Sequence, residues 1–275
     1  MAREVIALYI SPTGNTKKAV KAVAKGIADK LNGGDFFAID ITPQEARKNV
    51  YEFGEEDIVV IGCPTYAGRV PNKLMPYLRE SVFGLNTPSV AVVTYGNRAY
   101  DNSLKELTDI MLCNDFDVMN AVAVPAEHAF SQKLAAGRPD EVDTEQLVSL
   151  GNDIADAILK GEQKHVDYDE IPGEDVEQMT YYTPLKEDGE AAAFLKAMPI
   201  TDTEKCKGCR ECVYVCPMNC YMNSVSEPEG ICIKCQGCVK ACPEGAKYFS
   251  NEDFVSHVRY LEKNYTDENK EIEIY

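Results

Sequence analysis

The chain has 275 residues, of which 45% are hydrophobic and 27% charged, and its formal net charge at pH 7 is −17. This composition predicts a globular protein with a medium domain and a smaller one. No apolar run approaches the ~20 residues that cross a bilayer, and the first residues lack a secretory pattern, so we expect a cytoplasmic protein. The negative charge argues against nucleic acid and anionic membranes as partners. It suits partner proteins with basic docking patches, or simple solubility.

Residues 1–160 alternate between short apolar runs and amphipathic stretches. Runs rich in Val and Ile predict buried parallel strands at residues 5–10, 36–41, 58–63, 90–95 and 118–124. Helices are predicted at 15–31, 72–83, 100–114 and 141–160, with a weaker one at 43–50. Strands that alternate with helices imply right-handed crossovers and a doubly wound sheet. Five strands in this length favour an α/β flavodoxin-like sheet of order 2-1-3-4-5.

Residues 161–200 interrupt the alternation. Ten acidic residues stand against three lysines there, a net charge of −7. We interpret this stretch as an acidic linker that wraps over the first domain, with a short helical turn possible at 191–198. Residues 201–250 form a second domain rich in cysteine, and 251–275 a C-terminal helix and tail. The apolar face of that helix, at Phe254, Val258 and Leu261, is expected to pack on one of the domains rather than on a partner.

Nine of the eleven cysteines lie between Cys206 and Cys242. In a cytosolic chain such cysteines predict metal ligands rather than disulfides. Eight of them form two copies of C-x-x-C-x-x-C-x-x-x-C-P, at Cys206, Cys209, Cys212 and Cys216, and at Cys232, Cys235, Cys238 and Cys242. This spacing is typical of iron–sulfur ligation, whereas zinc modules usually pair one C-x-x-C with a distant second pair. Two [4Fe–4S] clusters are therefore predicted, with two zinc sites as the alternative.

In such runs the fourth cysteine binds the neighbouring cluster. Crossed ligand sets follow: Cys206, Cys209, Cys212 and Cys242 for one cluster, and Cys232, Cys235, Cys238 and Cys216 for the other. Gly208 and Gly237 are expected to let backbone N–H groups approach the sulfurs, and Cys220 is interpreted as a packed core thiol. The stretch resembles bacterial two-cluster ferredoxins.

The first predicted strand leads into SPTGNT, residues 11–16, at the start of a predicted helix. The loop lacks the lysine of a Walker sequence, and the dinucleotide pattern G-x-G-x-x-G is absent. Hydroxyl groups and free N–H groups at a helix N-terminus suit a monophosphate dianion, although the loop could also serve only as a helix cap. It resembles the T/S-x-T-G-x-T phosphate loop of flavodoxins, which implies that FMN is bound by Ser11, Thr13, Gly14, Asn15 and Thr16.

The remainder of the cofactor is expected over the carboxyl ends of the third and fourth strands. Residues 62–71 and 94–104 lie where flavodoxins place the two loops that enclose the isoalloxazine ring. The resemblance implies ring contacts from Pro64, Thr65, Tyr66, Ala67, Gly68 and Arg69, and from Tyr95, Gly96, Asn97, Tyr100 and Asp101. Tyr66 and either Tyr95 or Tyr100 are the stacking candidates. We expect Arg69 or Arg98 either to interact with the flavin or to have a structural role. Glu127 or His128 could lie at the edge of the site.

Taken together, PTYAGRVP, TYGNRAYDN and the cysteine repeats resemble the flavodoxin–ferredoxin fusion flavoproteins of anaerobic prokaryotes. The resemblance implies FMN and two [4Fe–4S] clusters in one chain. Its implied function is low-potential electron transfer between these cofactors and redox partner proteins. The alternative is a flavin-dependent oxidoreductase that acts on a small molecule and is fed by the ferredoxin domain. No nucleophile–base pair or carboxylate pair is evident, which favours the carrier, and a homodimer is possible.

Overall fold

The computed structural model describes residues 3–275. Its strands are β1 (Val5–Tyr9), β2 (Phe37–Asp40), β3 (Tyr51–Glu52), β4 (Ile58–Pro64), β5 (Val82–Phe83), β6 (Thr87–Tyr95), β7 (Phe116–Pro125), β8 (Ile200–Thr201), β9 (Lys247–Tyr248) and β10 (Glu273–Ile274). Its helices are α1 (Asn15–Leu31), α2 (Met75–Ser81), α3 (Ser103–Cys113), α4 (Glu141–Lys160), α5 (Glu211–Tyr214), α6 (Gly237–Lys240) and α7 (Glu252–Tyr265). The weak helix predicted at 43–50 is a single 3₁₀ turn, Ala46–Lys48.

The main sheet has the order β10-β7-β6-β4-β1-β2. Its first five strands along the chain are parallel and follow the order 2-1-3-4-5, which confirms the predicted flavodoxin-like α/β fold. The prediction of five strands was incomplete, because β10 pairs antiparallel with β7 at the edge. Two residues near the end of a polar tail carry too little periodicity to predict a strand, and β10 forms only because the tail returns to the exposed edge of β7.

Helices cover both faces of this sheet. On one face α1 packs closely on α4, where a side chain at Gly26 would collide with the backbone of Val148, and one at Gly151 with the backbone of Val23. The other face carries α3, together with Ile171 from the linker. The helices on these two faces leave the carboxyl ends of the parallel strands uncovered, which is where this fold binds its ligands.

The acidic linker lies across the first domain. The Val166 N–H donates to Val118 O at 2.9 Å, and the Tyr182 N–H donates to Ala67 O at 2.9 Å. The helical turn predicted at 191–198 is not formed as a helix; the segment has a single turn, closed by the Ala197 N–H on Phe194 O at 2.9 Å. Extended backbone is favoured here because the Ala193 N–H donates to the Asp253 carboxylate at 2.7 Å.

The second domain is small and built around its cysteines. β8 pairs antiparallel with β9, and the short helices α5 and α6 each carry the third cysteine of one repeat, Cys212 and Cys238. α7 then packs against this region with Phe254, His257 and Leu261 buried, while Val258 is half-buried. None of the helices in residues 3–275 combines the length and apolarity that a membrane-spanning helix requires.

Candidate functional site

Four cysteines line a cavity near the surface of the second domain. The thiols of this first cysteine cavity are Cys206, Cys209, Cys212 and Cys242. Cys209 is exposed to solvent, and Cys206 and Cys242 are half-buried. The four cysteines are those that the crossed assignment groups for one cluster.

A second cavity lies deeper in the domain, and most of the residues that line it are buried. The thiols of this second cysteine cavity are Cys216, Cys232, Cys235 and Cys238, and Cys220 also lies in its wall. Cys235 and Cys238 are buried, and apolar side chains surround the sulfurs, among them Met218, Tyr221 and Phe249. This grouping again follows the crossed assignment, because Cys216 comes from the first repeat and the other three from the second.

The two repeats adopt the same backbone geometry. The residues on either side of the second cysteine have positive φ in both copies: Gly208 at 71° and Arg210 at 68°, Lys234 at 56° and Gln236 at 62°. The fourth cysteines also match, since the Cys220 N–H donates to the Cys216 sulfur at 3.3 Å and the Ala246 N–H to the Cys242 sulfur at 3.2 Å. Such N–H groups stabilise anionic sulfur.

Burial and hydrogen bonds act in opposite directions on the thiols of the second cavity. A hydrogen bond with Cys220 and nearby backbone N–H groups lowers the pKa of Cys216 to about 6, although burial opposes them. Burial raises the pKa of Cys238 to about 11, and the hydroxyl of Tyr221 opposes this by donating to its sulfur. Burial also raises the pKa of Cys235, while the Gly237 N–H lowers it. A metal centre would supply the positive charge that keeps such buried thiolates ionised.

The arrangement of the thiols suits a cluster better than a single ion. Across residues 3–275, no three His, Cys, Asp or Glu side chains converge as one bound metal ion requires. A zinc ion needs its four ligands at about 2.0–2.3 Å from one point. Thiols that instead ring a cavity fit a polynuclear cluster, whose iron atoms lie at separate corners.

The second cavity adjoins the phosphate loop of the first domain. A side chain at Gly237, the first residue of α6, would lie 3.0 Å from the backbone oxygen of Pro12, so glycine lets α6 approach the loop closely. The Lys240 side chain lies 2.6 Å from the Glu127 carboxylate, and the Asn15 amide donates to Glu127 O at 3.0 Å. These contacts join the helix that carries Cys238 to SPTGNT.

The phosphate loop leaves donors free. Gly14 has φ of 93° and, as the residue before α1, offers no side chain to cap the helix. The Lys17 N–H donates to the Ser11 hydroxyl at 2.9 Å, so the hydroxyl proton of Ser11 is available to another acceptor. Within the described chain the N–H groups of Asn15 and Thr16 have no acceptor. The loop therefore fits a phosphate, whereas the Thr16 hydroxyl is shared with Thr94 at 2.7 Å.

The first predicted ring loop is a tight hairpin at the end of β4. Tyr66 and Arg69 exchange backbone hydrogen bonds of 2.8 and 3.1 Å, across Ala67 and Gly68, which both have positive φ. Tyr66 is half-buried, and burial, with the second-cavity thiols of Cys235 and Cys232 among its further causes, raises its pKa. The second-cavity thiols therefore influence the Tyr66 hydroxyl electrostatically.

Other predicted groups of this loop have partners within the protein. Thr65 follows Pro64, the last residue of β4. Its hydroxyl lies 2.6 Å from the Ser103 hydroxyl. The Arg69 guanidinium pairs with Glu106, which is fully buried, and donates to Met179 O at 2.7 Å. These contacts favour the structural alternative for Arg69, because its charge is neutralised within the fold.

The second predicted ring loop is covered by the C-terminal tail. Tyr95 and Tyr100 pack against each other at 5.3 Å between ring centres, and the Tyr100 hydroxyl donates to Glu273 at 2.7 Å. The Asn97 amide donates to Tyr265 O at 2.8 Å, and Asp101 pairs with Arg98. The C-terminal segment thus binds the side chains of Asn97 and Tyr100, and Arg98 binds that of Asp101, so a flavin ring at this loop would meet side chains that already have partners.

Glycines in the two loops serve contacts that the sequence did not reveal. A side chain at Gly96 would collide with the His128 ring, and one at Gly68 with the Asp101 carboxylate. His128, considered as an edge residue, accepts a hydrogen bond from the Phe130 N–H at 3.0 Å. Burial lowers the pKa of His128 to about 3, so its imidazole is neutral.

Arg47 is a site residue that sequence reasoning missed. It donates to Ile41 O at 2.8 Å and to the backbone oxygen of Pro217, which lines the second cavity. Burial lowers the pKa of Arg47, while Tyr77 and Cys216 act to raise it. A single arginine in a predicted weak helix offers no sequence signal that distinguishes it.

Two family models match the second domain. Both describe a 4Fe-4S binding domain, one over residues 199–222 and the other over residues 229–245. The first ends before the second cysteine repeat begins, so each repeat is matched separately. A comparison with curated protein sequences gives no match.

Solved structures that are similar to the chain each cover a little more than half of it. A flavodoxin from the domain Archaea has 18% identity and a TM-score of 0.37, over 56% of this chain and 97% of that one. Rubredoxin oxygen:oxidoreductase from the anaerobe Desulfovibrio gigas has 18% identity and a TM-score of 0.35, over 58% and 38%. The metal-soaked flavodiiron core of a Synechocystis species has 18% identity and a TM-score of 0.39, over 58% and 37%.

The architecture of the first domain and the family matches of the second show which two domains make up the chain. The parallel order of the first domain is that of flavodoxin-like proteins, and the tandem cysteine repeats match 4Fe-4S binding domains. Iron–sulfur clusters of this type serve redox chemistry. The chain is a fusion of a flavodoxin-like α/β domain with a ferredoxin-type domain that carries two 4Fe-4S motifs.

Proposed function

We propose that this protein is a low-potential electron carrier of the flavodoxin–ferredoxin fusion flavoproteins, with FMN in its first domain and two [4Fe–4S] clusters in its second. When bound, each cluster exchanges one electron at a time and FMN exchanges one or two. The observation that carries the proposal is the contact between α6 and the phosphate loop, where Gly237 meets Pro12. It brings the second cysteine cavity to the carboxyl edge of the sheet.

The two cavities differ in solvent exposure, and this difference favours one route for electrons through the protein. The first holds the exposed Cys209, whereas the thiols of the second are half-buried or buried and lie near the predicted phosphate loop, where Gly237 meets Pro12. We therefore propose that the first cavity is the side where redox partner proteins exchange electrons. The second would be the inner position, adjacent to the flavin.

The cover over the predicted flavin loops favours a carrier over an enzyme with a small substrate. The linker contacts the first loop through Tyr182 and Ala67, and the C-terminal tail contacts the second through Asn97 and Tyr100. A small molecule would have to displace these segments to stack on the ring. A partner protein at the first cavity would displace neither.

Cofactor analysis of anaerobically purified protein tests the proposal. We expect about eight iron atoms and one FMN per chain. Protein with zinc and without iron would contradict the cluster assignment, and protein with iron but no affinity for FMN would contradict the flavin assignment. Photoreduced protein should then reduce a protein acceptor faster than small-molecule acceptors; turnover of a small molecule alone would favour the enzyme.

A further inference from the structure

The positive charge of Arg47 lacks a carboxylate partner. The other half-buried arginines are all paired with acids: Arg3 with Glu56, Arg69 with Glu106, Arg98 with Asp101 and Arg138 with Asp143. Among residues 3–275, no carboxylate oxygen lies within 4.0 Å of a guanidinium nitrogen of Arg47. It donates only to backbone oxygens, those of Ile41, Thr42 and Pro217.

A half-buried charge without a counter-charge costs free energy, and proteins usually pair it. In a chain of net charge −17, acidic side chains are abundant, so the missing partner of Arg47 points to an anion of another kind. Its contact with Pro217 places the guanidinium beside the wall of the second cysteine cavity, next in sequence to Cys216. Four thiolates around an iron–sulfur core carry a net negative charge.

We propose that Arg47 is the counter-charge that the first domain supplies to the cluster of the second cysteine cavity, and that it raises the reduction potential of that cluster. This rests on the cluster part of the proposed function and is independent of FMN. Adding an electron makes a cluster more negative, so a nearby fixed cation favours the reduced form. Lys234 stands between Ile233 and Cys235, which line this cavity, but it belongs to the second domain and donates to Cys232 O and Leu195 O.

The position of Arg47 should affect the reduction potentials of the two clusters differently. Arg47 anchors the loop after β2 to the second domain, so its charge is present at the second cavity only when the domains are docked. Arg47 reaches the second cavity through its hydrogen bond to Pro217. Within the described chain, no hydrogen bond joins residues 3–160 to the residues that line the first cavity, Lys207, Arg210 and Glu211 among them. Domain contact should therefore change the potential of the second cluster selectively.

The test compares Arg47→Gln, Arg47→Lys and wild type by anaerobic redox titration followed by electron paramagnetic resonance. Nuclear magnetic resonance of the cysteine β-protons, which the clusters shift paramagnetically, assigns each cluster to its cavity. The equilibrium constant for reducing the second-cavity cluster is expected to fall about tenfold in Arg47→Gln, which is about 59 mV for a one-electron couple. The first-cavity cluster should be unchanged, and Arg47→Lys should lie close to wild type. Arg79→Gln, an exposed arginine of the same domain, is the matched control.

Each outcome decides the proposal. Full iron content with unmoved potentials in Arg47→Gln overturns it, as does an equal shift of both clusters. If Arg47→Gln loses about half of its iron, retention of that iron in Arg47→Lys supports the counter-charge, whereas its loss in both variants shows that only the hydrogen bonds matter. Protein purified without FMN would contradict the flavin assignment and leave this comparison intact.

Discussion

Lys240 Nζ lies 2.6 Å from a carboxylate oxygen of Glu127, and this ion pair joins the two domains. Lys240 ends the helix that carries Cys238, and Glu127 follows β7 and accepts the Asn15 amide through its backbone oxygen. The pair therefore connects the second cysteine cavity to the phosphate loop. Burial alone would raise the pKa of Glu127, but hydrogen bonds from Lys240 and the Gly137 N–H lower it.

Replacing Glu127 by Gln should loosen the contact between the domains without unfolding either of them. Both side chains are partly exposed, at 25% and 26%, so the loss of unfolding free energy should stay below about 1 kcal/mol. Hydrogen exchange should increase around residues 125–128 and 237–240. Glu262→Gln removes a similar pair with Lys133 and should leave exchange at those residues unchanged. Equal effects of both variants would mean that the domains are held by other contacts.

Replacing Ser11 by Ala tests the phosphate loop. The variant removes a hydroxyl proton that is free to donate, so we expect FMN affinity to fall about tenfold or more, as for a hydrogen bond to a charged group. Titration of flavin-depleted protein with FMN and with riboflavin, which lacks the phosphate, measures this. Riboflavin affinity should not change, and Thr144→Ala, a hydroxyl variant at the start of α4, should bind FMN normally. A parallel loss for both flavins would assign Ser11 to the fold instead.

Cys216→Ala tests the crossed ligand sets. Although Cys216 belongs to the first repeat, it lines the second cavity. The variant should lose the cluster of that cavity and keep about four iron atoms per chain. Iron analysis with the cysteine β-proton signals identifies which cluster remains. Cys113→Ala, which removes an exposed thiol outside both cavities, should keep all of its iron. Loss confined to the first-cavity cluster would refute the crossed assignment.

Glu106→Ala should destabilise the first domain strongly. Glu106 is fully buried and accepts from Arg69 Nε at 3.2 Å and from the Val70 N–H at 2.9 Å. The variant leaves the Arg69 charge uncompensated, so the unfolding free energy should fall by about 3–5 kcal/mol. Anaerobic urea denaturation measures it. Glu45→Ala breaks the exposed pair with Lys48 and should cost under about 1 kcal/mol. A similar small loss for Glu106→Ala would show that water enters the site.

Stability should decrease as the pH falls from about 6.5 toward 3. Burial lowers the pKa of His128 to about 3 in the folded protein, from an ordinary value of 6.5. Between these values the unfolded chain binds one more proton, so the unfolding free energy falls by up to about 1.4 kcal/mol per pH unit. His128→Asn keeps an acceptor for the Phe130 N–H and should flatten this slope in thermal unfolding. His165→Asn, at an exposed histidine, should not, and an unchanged slope in His128→Asn would assign the effect to other groups.

Much of the fold follows from local pattern. The Val and Ile runs produced the five parallel strands in their predicted order, and α1 begins and ends at the predicted residues. These predictions succeed because the spacing of apolar residues shows which face of a helix or strand is buried, and a short stretch of sequence contains that spacing. β10 was missed because its two residues pair only with the edge of β7.

The sequence by itself determined the two cysteine repeats and the loop SPTGNT, because each consists of residues close together in the chain. The order of the parallel strands was predicted from their number and their alternation with helices. Only the tertiary structure decided which groups surround the site. It assigned Arg69 to Glu106, covered Tyr100 with the C-terminal tail, and placed Arg47 beside Pro217. These contacts join residues 37 to 173 positions apart. No local pattern encodes such pairs, since they form only when packing brings distant segments together.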